Sequence, residues 1–204
     1  ALCVGPGDEV ILADTNWIAS AAPIVHLGAK PVFVDILPDT FNIDPEALKS
    51  LLARLTKDRV TADKVKAILP VHCFGQLADM PAIISLAKEY NIPVLEDAAC
   101  ALGATLHNRQ AGSWGAAGCF SFHPRKAVTT GEGGVISTND PVLVERLRSL
   151  RNHGIRSTTG QADFILPGFN YRMTDFQGAL GVTQLNKLQR IIHSHRLQAS
   201  IYDE

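Results

Sequence analysis

The hydrophobic positions between residues 9 and 93 form short β-branched runs that alternate with segments of helical periodicity. The runs that we predict to be strands lie at residues 10–13, 31–34, 66–71 and 93–96. The segments with apolar side chains at helical spacing lie at residues 17–27, after Asp44, and at residues 80–90. Strands separated by helices predict right-handed crossovers and a mostly parallel sheet that is covered by helices on both faces.

The pattern changes after residue 106, where the predicted elements become shorter. Strands are predicted near residues 118–122 and 134–137, followed by a helix over about 141–151. The weakly periodic, Gly-, Ser- and Thr-containing segment from Gly154 to Gly168 predicts a long loop, and long loops in compact domains are often functional. A last helix is predicted from about residue 174, running past Ile192.

Composition narrows the classes of function. The chain has 204 residues, 46% hydrophobic and 19% charged, which predicts one large α/β domain. Its 19 Lys and Arg balance 20 Asp and Glu, so the charge predicts neither nucleic acid nor an anionic membrane as partner. No apolar run reaches the roughly 20 residues of a membrane span.

The cysteines indicate the compartment of the protein, and the two chain ends indicate whether further segments flank the sequence. Four scattered cysteines without a C-x-x-C pair are typical of a reduced, cytoplasmic protein, and their spacing predicts no metal site. The start lacks an initiator Met and a signal pattern, and the end stops within a charged helical pattern. We therefore expect further segments on both sides.

Lys126 follows a short apolar strand and precedes a glycine-rich turn at residues 131–134. A lysine amine attacks a carbonyl only when it is neutral and held in place by packed neighbours. Phe120, Phe122 and Pro124 are the neighbours that we expect to pack around it. Lys126 is therefore a candidate Schiff-base lysine, and the alternative is a surface lysine after a buried strand.

Two acidic residues, Glu96 and Asp97, end a predicted strand. Ligands of open parallel sheets lie at the carboxyl ends of strands, where a carboxylate can pair with the protonated nitrogen of a pyridine cofactor. An aspartate for the ring nitrogen and a lysine for the aldehyde, here Asp97 and Lys126, are the two fixed points of a pyridoxal phosphate site. The alternative is that Asp97 caps a helix.

Other side chains complete the candidate set. Trp17 follows a predicted strand, where its ring could cover a cofactor, and the alternative, which a single tryptophan favours, is a place in the core. Ser121 precedes Lys126 by five residues and offers a hydroxyl to a phosphate, or is an ordinary strand serine. Asn170 and Arg172 lie on a loop and suit a phosphate or carboxylate, with loop capping and solvation as the alternatives.

Together these segments resemble the DegT-type nucleotide-sugar aminotransferases, within the fold-type I pyridoxal phosphate enzymes. The resemblance extends over essentially the whole chain. The matching segments are GPGDEV at 5–10, LGAKPVFVD at 27–35, PVH at 70–72, GQ at 75–76, EDAA at 96–99, GCFSFHPRK at 118–126, GEGG at 131–134, LRNHG at 150–154 and NYRM at 170–173.

The resemblance implies a three-layer α/β/α sandwich with a mostly parallel central sheet, like the large domain of aspartate aminotransferase. Residues 1–204 would form the large pyridoxal phosphate-binding domain without its N-terminal segment. The helix from about residue 174 would lead towards a missing C-terminal small domain. The family's phosphate loop would precede Ala1.

The resemblance also implies roles for the candidate residues. Lys126 would form the Schiff base and later move the proton between substrate and cofactor, while Asp97 would hold the ring nitrogen. Trp17 would stack on the ring and Ser121 would bind the phosphate. Asn170 would reach the phosphate bound in a neighbouring subunit, so the site would be shared across a homodimer.

Cys100 departs from the family pattern, because many relatives have Gln there to contact the phenolic oxygen of the cofactor. A thiol is a weaker hydrogen-bond partner than an amide. We therefore expect Cys100 to lie at the cofactor and to alter its electronics or the substrate subgroup.

The implied activity is transfer of an amino group from an amino acid, usually glutamate in the family, to a nucleotide-linked ketosugar for polysaccharide biosynthesis. One alternative is a pyridoxal phosphate-dependent sugar dehydratase, in which histidine replaces the lysine that is present here as Lys126. A second alternative is a regulatory homologue without catalysis. A dinucleotide-binding dehydrogenase is disfavoured because no G-x-G-x-x-G follows the first strand.

Overall fold

A computed structural model describes residues 1–57, 62–157 and 162–203. The strands are β1 (Glu9–Ala13), β2 (Lys30–Val34), β3 (Val65–Leu69), β4 (Leu95–Asp97), β5 (Thr105–Leu106), β6 (Arg109–Gln110), β7 (Ala117–Ser121), β8 (Gly134–Ser137), β9 (Ile155–Ser157) and β10 (Ala162–Phe164). The α-helices are α1 (Ala22–His26), α2 (Pro45–Leu55), α3 (Met80–Glu89), α4 (Pro141–Leu150), α5 (Asp175–Leu185) and α6 (Leu188–Tyr202).

The central sheet has the order β2-β1-β3-β4-β7-β8. Strands β2, β1 and β3 pair in parallel, and β4 pairs in parallel with β7. Parallel bridges from Ile68 to Val94 and from Val71 to Asp97 join these two halves. Only β8 pairs antiparallel within this order, so the carboxyl ends of β1, β3, β4 and β7 meet at one edge.

Helices cover both faces of this sheet, which confirms the predicted three-layer fold. On one face, Leu48 and Leu52 of α2 and Ile83 of α3 pack against Ile11 and Ile68. On the other face, Ile24 of α1 packs against Val10 and Leu12. Leu143 of α4 is also buried. The alternation of strand side chains divides the core between the two faces.

Aspartate side chains start three of these helices. Asp44 accepts a hydrogen bond from the Glu46 amide, and Asp140 accepts one from the Val142 amide, with Pro at the next position in both helices. Asp79 caps α3 in the same way. Such caps satisfy amides that have no partner within the helix, which is why these helix starts could be predicted from sequence.

The segment at residues 17–27 differs from its prediction as a single helix. Trp17 precedes a 3-10 turn at Ile18–Ser20, and α1 begins only at Ala22. Pro23 has no amide hydrogen to donate, so it is tolerated only in the first turn of a helix. The α-helix therefore has to start next to this proline.

The predicted C-terminal helix is two helices. Its start is confirmed by a capping box, in which Thr174 and Gln177 exchange hydrogen bonds. Helix α5 then ends at Leu185, and the next residue, Asn186, is of a type that competes with helical hydrogen bonding. Helix α6 has 15 residues, and within the described ranges no helix is long and apolar enough to cross a bilayer.

The loop predicted between Gly154 and Gly168 contains a short antiparallel pair, β9 with β10. The loop prediction was therefore wrong for residues 155–157 and 162–164, while residues 158–161 lie outside the described residues. Three-residue strands are too short to give a recognisable alternation in the sequence.

Candidate functional site

Asp97 and Ser121 lie side by side at the carboxyl edge of the sheet. Each is the last residue of its strand, β4 and β7, and these strands are parallel neighbours. Asp97 is in register with Cys119, so Ser121, two residues further, presents its side chain to the same face. Both residues line a cavity of about 560 Å³, which is also lined by residues of α1 and α4. The structure therefore brings these two predicted residues together, while their roles towards a cofactor stay predictions.

The carboxylate of Asp97 is held by two hydrogen bonds. The Ser20 hydroxyl donates to Oδ2 at 2.6 Å, and the Ala99 amide donates to Oδ1 at 3.1 Å. Ser20 is buried and lines the same cavity. The sequence analysis did not single out Ser20, although it lies in the connection after β1, whose carboxyl end is at this edge.

The Glu96 side chain points to the opposite face of β4, where it holds the fold together. Its carboxylate is fully buried and accepts hydrogen bonds from the Gly112, Trp114 and Gly115 amides at 2.6 to 2.7 Å. His72 Nε2 donates a fourth at 3.0 Å, because its Nδ1 accepts from the Ala78 amide. The sequence could not separate the two neighbouring acids. In the structure the Glu96 carboxylate is held by the amides of the loop at residues 112–115, whereas the Asp97 side chain extends to the opposite face of the strand.

The hydrogen bonds around Glu96 determine its protonation. Burial by itself would raise the pKa of Glu96, but the hydrogen bonds from His72, Gly115 and Gly112 outweigh it, so the pKa is lowered. Glu96 is therefore an ionised carboxylate that joins β4 to the loop at residues 112–115.

Lys126 lies on a closed loop between β7 and β8. The Phe122 amide donates to the Gly133 carbonyl at 2.8 Å, and the Thr130 amide donates to the Phe122 carbonyl at 3.0 Å. The side chains of Phe122 and Val128 are buried, which anchors this loop to the domain. Lys126 is half-buried, as a positioned lysine requires.

The three residues predicted to pack around this lysine differ in burial. Phe122 is buried and Phe120 is half-buried, whereas Pro124 is exposed. Pro124 lies in the turn that leads to the lysine, and it faces solvent instead of packing beside the amine.

The Lys126 amine contacts the thiol of Cys100. Nζ lies 3.0 Å from Sγ, and Cys100 is exposed. The Gly75 loop packs directly on the Cys100 backbone, since a Cβ built on Gly75 would lie 2.9 Å from the Cys100 carbonyl oxygen. Cys100 follows Asp97 by three residues, so the Lys126 amine lies near the strand end that carries Asp97.

Two further cysteines adjoin this group. Burial raises the pKa of the Cys73 thiol, and the charges of Cys100 and Asp97 raise it further. Burial also raises the pKa of Cys119 to about 11, with a smaller contribution from Asp97. Both thiols stay protonated near neutral pH, and both lie within the electrostatic reach of Asp97.

Trp17 and Asn170 make no hydrogen bond with Lys126, Cys100 or Asp97 in the part of the chain that the structure describes. Trp17 is 72% exposed, at the start of the turn whose last residue, Ser20, bonds Asp97. Asn170 is exposed and forms a bridge with Asn152. Arg172, predicted as an anion-binding residue, donates to the Asn152 side chain. Among the described residues, no hydrogen bond links Asn170 to Lys126, Asp97 or Ser121.

We compared the chain with models of protein families and with known proteins. The model of the DegT/DnrJ/EryC1/StrS aminotransferase family matches residues 1–204. GDP-perosamine synthase of Caulobacter vibrioides is 41% identical over 204 residues, which are 100% of this chain and 52% of that protein. A pleiotropic regulatory protein of Geobacillus stearothermophilus is 42% identical over 200 residues, 98% of this chain and 50% of that protein.

A solved structure supports the fold. The Streptococcus pneumoniae protein Spr1654 in its PLP form has a TM-score of 0.86 and 31% identity, covering 99% of this chain and 54% of that one. The chain thus spans about half the length of the curated relatives that it matches.

Proposed function

The chain belongs to the DegT/DnrJ/EryC1/StrS aminotransferase family, and from this premise we propose that the protein is a pyridoxal phosphate-dependent aminotransferase. It transfers an amino group from an amino acid donor to a nucleotide-linked ketosugar. The observation that carries the proposal is the meeting of three groups at one sheet edge: Lys126 on a closed loop, Cys100 against its amine, and Asp97 three residues before Cys100.

The side chains fit a pyridoxal phosphate cofactor. Asp97 supplies a half-buried carboxylate for the ring nitrogen, with two neutral donors that keep it in place. The Ser121 oxygen accepts from the His123 amide at 3.2 Å, so its own O–H can still donate to a phosphate. Trp17 has an exposed indole face that is suited to cover a ring. Bound pyridoxal phosphate supplies an aldehyde that takes an amine and a ring that accepts electrons.

In this arrangement Lys126 has two tasks. Its amine holds the cofactor between reactions and, once released, moves a proton to or from the substrate carbon. The closed loop keeps Nζ positioned through both tasks, because Phe122 and Val128 anchor the loop on either side of the lysine. Cys100 lies against the same amine, in the place where we expect it to adjoin the cofactor.

The substrates are proposed from the relatives. The name of the Caulobacter relative denotes a GDP-linked perosamine product, which supports a nucleotide-linked sugar as acceptor. We propose glutamate as the donor, a finer assignment that rests on the family resemblance. We also propose a role in polysaccharide biosynthesis and a cytoplasmic location, which the four free cysteines support.

We further propose that the protein works as a homodimer with shared sites, in which Asn170 reaches the neighbouring subunit. Phe169 and Tyr171 flank Asn170, are 66% and 73% exposed, and stack on each other at 5.2 Å. Phe176, shortly after them, is 91% exposed. Large exposed aromatic side chains in one segment are typical of an interface.

The proposal is tested by adding pyridoxal phosphate to the full-length protein and recording the visible absorbance before and after borohydride reduction. Peptide mass mapping should find the reduced cofactor on Lys126. Glutamate and other amino acids are then compared as donors with a panel of nucleotide-ketosugars. A folded protein that takes up no cofactor, or carries it on another lysine, would contradict the proposal.

Replacing the lysine gives the first prediction. Lys126→Ala should reduce amino transfer to the background level, since no other amine is held at this edge by a contact like that with Cys100 among the described residues. Turnover is measured by keto acid release, with circular dichroism as the control for folding. Dehydration of the sugar by the wild-type protein, without amino transfer, would instead support the dehydratase alternative.

A regulatory role is the second candidate, because the Geobacillus relative with 42% identity is named a pleiotropic regulatory protein. Asp97, Ser121, Lys126 and Asn170 are all present, which favours catalysis. A full-length protein that binds pyridoxal phosphate at Lys126 but transfers no amino group from any donor would favour regulation.

A further inference from the structure

We propose that Cys100 and Lys126 form a covalent modification site, where hydrogen peroxide joins the cysteine sulfur to the lysine nitrogen. The product is a sulfenamide, an S–N bond that removes the amine from use. The bond itself follows from the geometry, whereas its effect on cofactor binding rests on the proposed function.

The contact between the two nucleophiles carries this inference. Lys126 Nζ lies 3.0 Å from Cys100 Sγ, so bond formation needs only a small approach of the two atoms. Cys100 is exposed, and a small oxidant can reach its sulfur from solvent. Phe122 and Val128 anchor the loop that presents the amine, so the pair is held together instead of meeting by chance.

The reaction balances in two steps. The Cys100 sulfur attacks one peroxide oxygen, the S–O bond forms as the O–O bond breaks, and the departing hydroxide takes the thiol proton as water. The unprotonated Lys126 amine then attacks this sulfenic acid, the S–N bond forms as the S–O bond breaks, and the second hydroxide takes an amine proton. Sulfur is oxidised by two electrons, peroxide is reduced to water, and the protein loses two hydrogen atoms.

The competing nucleophile is Cys73, whose loop packs on the Cys100 backbone. A sulfenic acid also condenses with a thiol to give a disulfide. Cys73 is half-buried, and its pKa is raised by burial and by the charges of Cys100 and Asp97. The amine of Lys126 is the partner in direct contact with the sulfur.

The experiment uses the full-length protein, prepared without cofactor and with pyridoxal phosphate. Each sample is treated with hydrogen peroxide, its remaining thiols are alkylated, and its peptides are mapped by mass spectrometry. We expect the cofactor-free protein to give the Cys100 and Lys126 peptides joined and lighter by two hydrogen atoms. Dithiothreitol should separate them, and cofactor at ten times its Kd should lower the yield about tenfold.

Matched variants identify the partners. Cys100→Ser should abolish the joined peptides, while Cys73→Ser should leave their yield unchanged. Peroxide-treated wild-type protein should also lose visible cofactor absorbance in proportion to the joined fraction, and Cys100→Ser should resist this loss. A Cys73–Cys100 disulfide, or a sulfinic acid on Cys100 without joined peptides, would overturn the inference.

These outcomes separate this inference from the proposed function, because mass mapping needs neither cofactor nor turnover. If the joined peptides form but untreated protein never carries pyridoxal phosphate on Lys126, the proposed function is wrong and the modification site stands. If the cofactor attaches to Lys126 and peroxide gives no joined peptides, only the modification site is wrong.

Discussion

The carboxylate of Asp97 is oriented by the Ser20 hydroxyl and the Ala99 amide, both of them neutral donors. These donors fix its direction but do not neutralise its charge, which remains available to a positively charged partner. In the proposed enzyme that partner is the protonated ring nitrogen of the cofactor, whose charge the carboxylate stabilises throughout the reaction.

Asp97→Asn should therefore lower kcat/KM by about 100-fold or more while the protein still binds pyridoxal phosphate. An amide has nearly the same shape but no charge, so the site keeps its geometry and loses its electrostatic stabilisation. Steady-state kinetics and visible absorbance measure the two effects. Asp39→Asn, an exposed aspartate in the β2–α2 connection, is the matched control and should retain full activity. Equal kinetics for both variants would remove Asp97 from the site.

Glu96 differs from its neighbour Asp97 because four N–H groups donate hydrogen bonds to its two carboxylate oxygens. Glu96→Gln should reduce the free energy of unfolding by about 3 kcal/mol, because its NH₂ group must face N–H donors at 2.6 to 3.0 Å. Urea denaturation at neutral pH measures the change. The control is Glu145→Gln in the exposed pair with Arg148, where we expect less than about 0.5 kcal/mol.

Because Glu96 is ionised in the folded protein, we expect the free energy of unfolding to depend on pH. The pKa of Glu96 is lowered in the folded protein from an ordinary value of 4.5. Its contribution to stability is therefore complete well above pH 4.5 and is lost as the pH falls through the folded-state value. The difference in stability between wild type and Glu96→Gln should shrink on acidification below pH 4.5. A difference that stays constant would show that Glu96 is not ionised in the fold.

At the scale of elements, Gly154 joins α4 to the β9–β10 pair and the segment that carries Asn170. Its φ is +75°, and a Cβ there would lie on top of the Leu166 carbonyl oxygen. Gly154→Ala should cost at least about 2 kcal/mol, since the left-handed backbone and the contact both oppose a side chain. Thermal unfolding measures the loss. Gly178→Ala in α5, with open space around its Cβ, should instead stabilise by about 0.5–1 kcal/mol.

At the scale of the whole molecule, sharing of the site between subunits can be tested by mixing variants. Alone, Lys126→Ala should be at the background level and Asn170→Ala should be weakly active. Unfolded together and refolded as an equal mixture, half of the dimers combine both variants, and each such dimer contains one site with an intact lysine and an intact partner asparagine. We expect about a quarter of wild-type activity.

The control for this mixture is Lys126→Ala with Asp97→Asn. Both residues belong to the same subunit's site at the carboxyl edge of the sheet, so no mixed dimer has an intact site and activity should stay at the background level. If the Lys126→Ala and Asn170→Ala mixture also stays there, Asn170 acts within its own subunit or outside the site.

Many elements of the fold could be predicted from interactions between residues that are close together in the sequence. Asp44 and Asp140 mark helix starts because a side-chain cap and a following proline act over a few residues. The alternation of apolar runs and helical segments gave the layered, mostly parallel sheet, since burial on both faces requires that pattern. The order of motifs also identified Lys126, Asp97 and Ser121 as one candidate group, and it pointed to the family.

Only the tertiary structure decided which neighbouring side chains share a face and which distant ones touch. The sequence placed Glu96 and Asp97 at the same strand end. In the structure the Glu96 carboxylate bonds the amides of residues 112–115, and the Asp97 carboxylate bonds Ser20 on the other face. The contacts of Ser20 with Asp97 and of Cys100 with Lys126 join residues 77 and 26 positions apart. Contacts of this kind depend on how the strands pair and how the loops close over the sheet. Both are long-range features, so a local pattern of residues does not predict them.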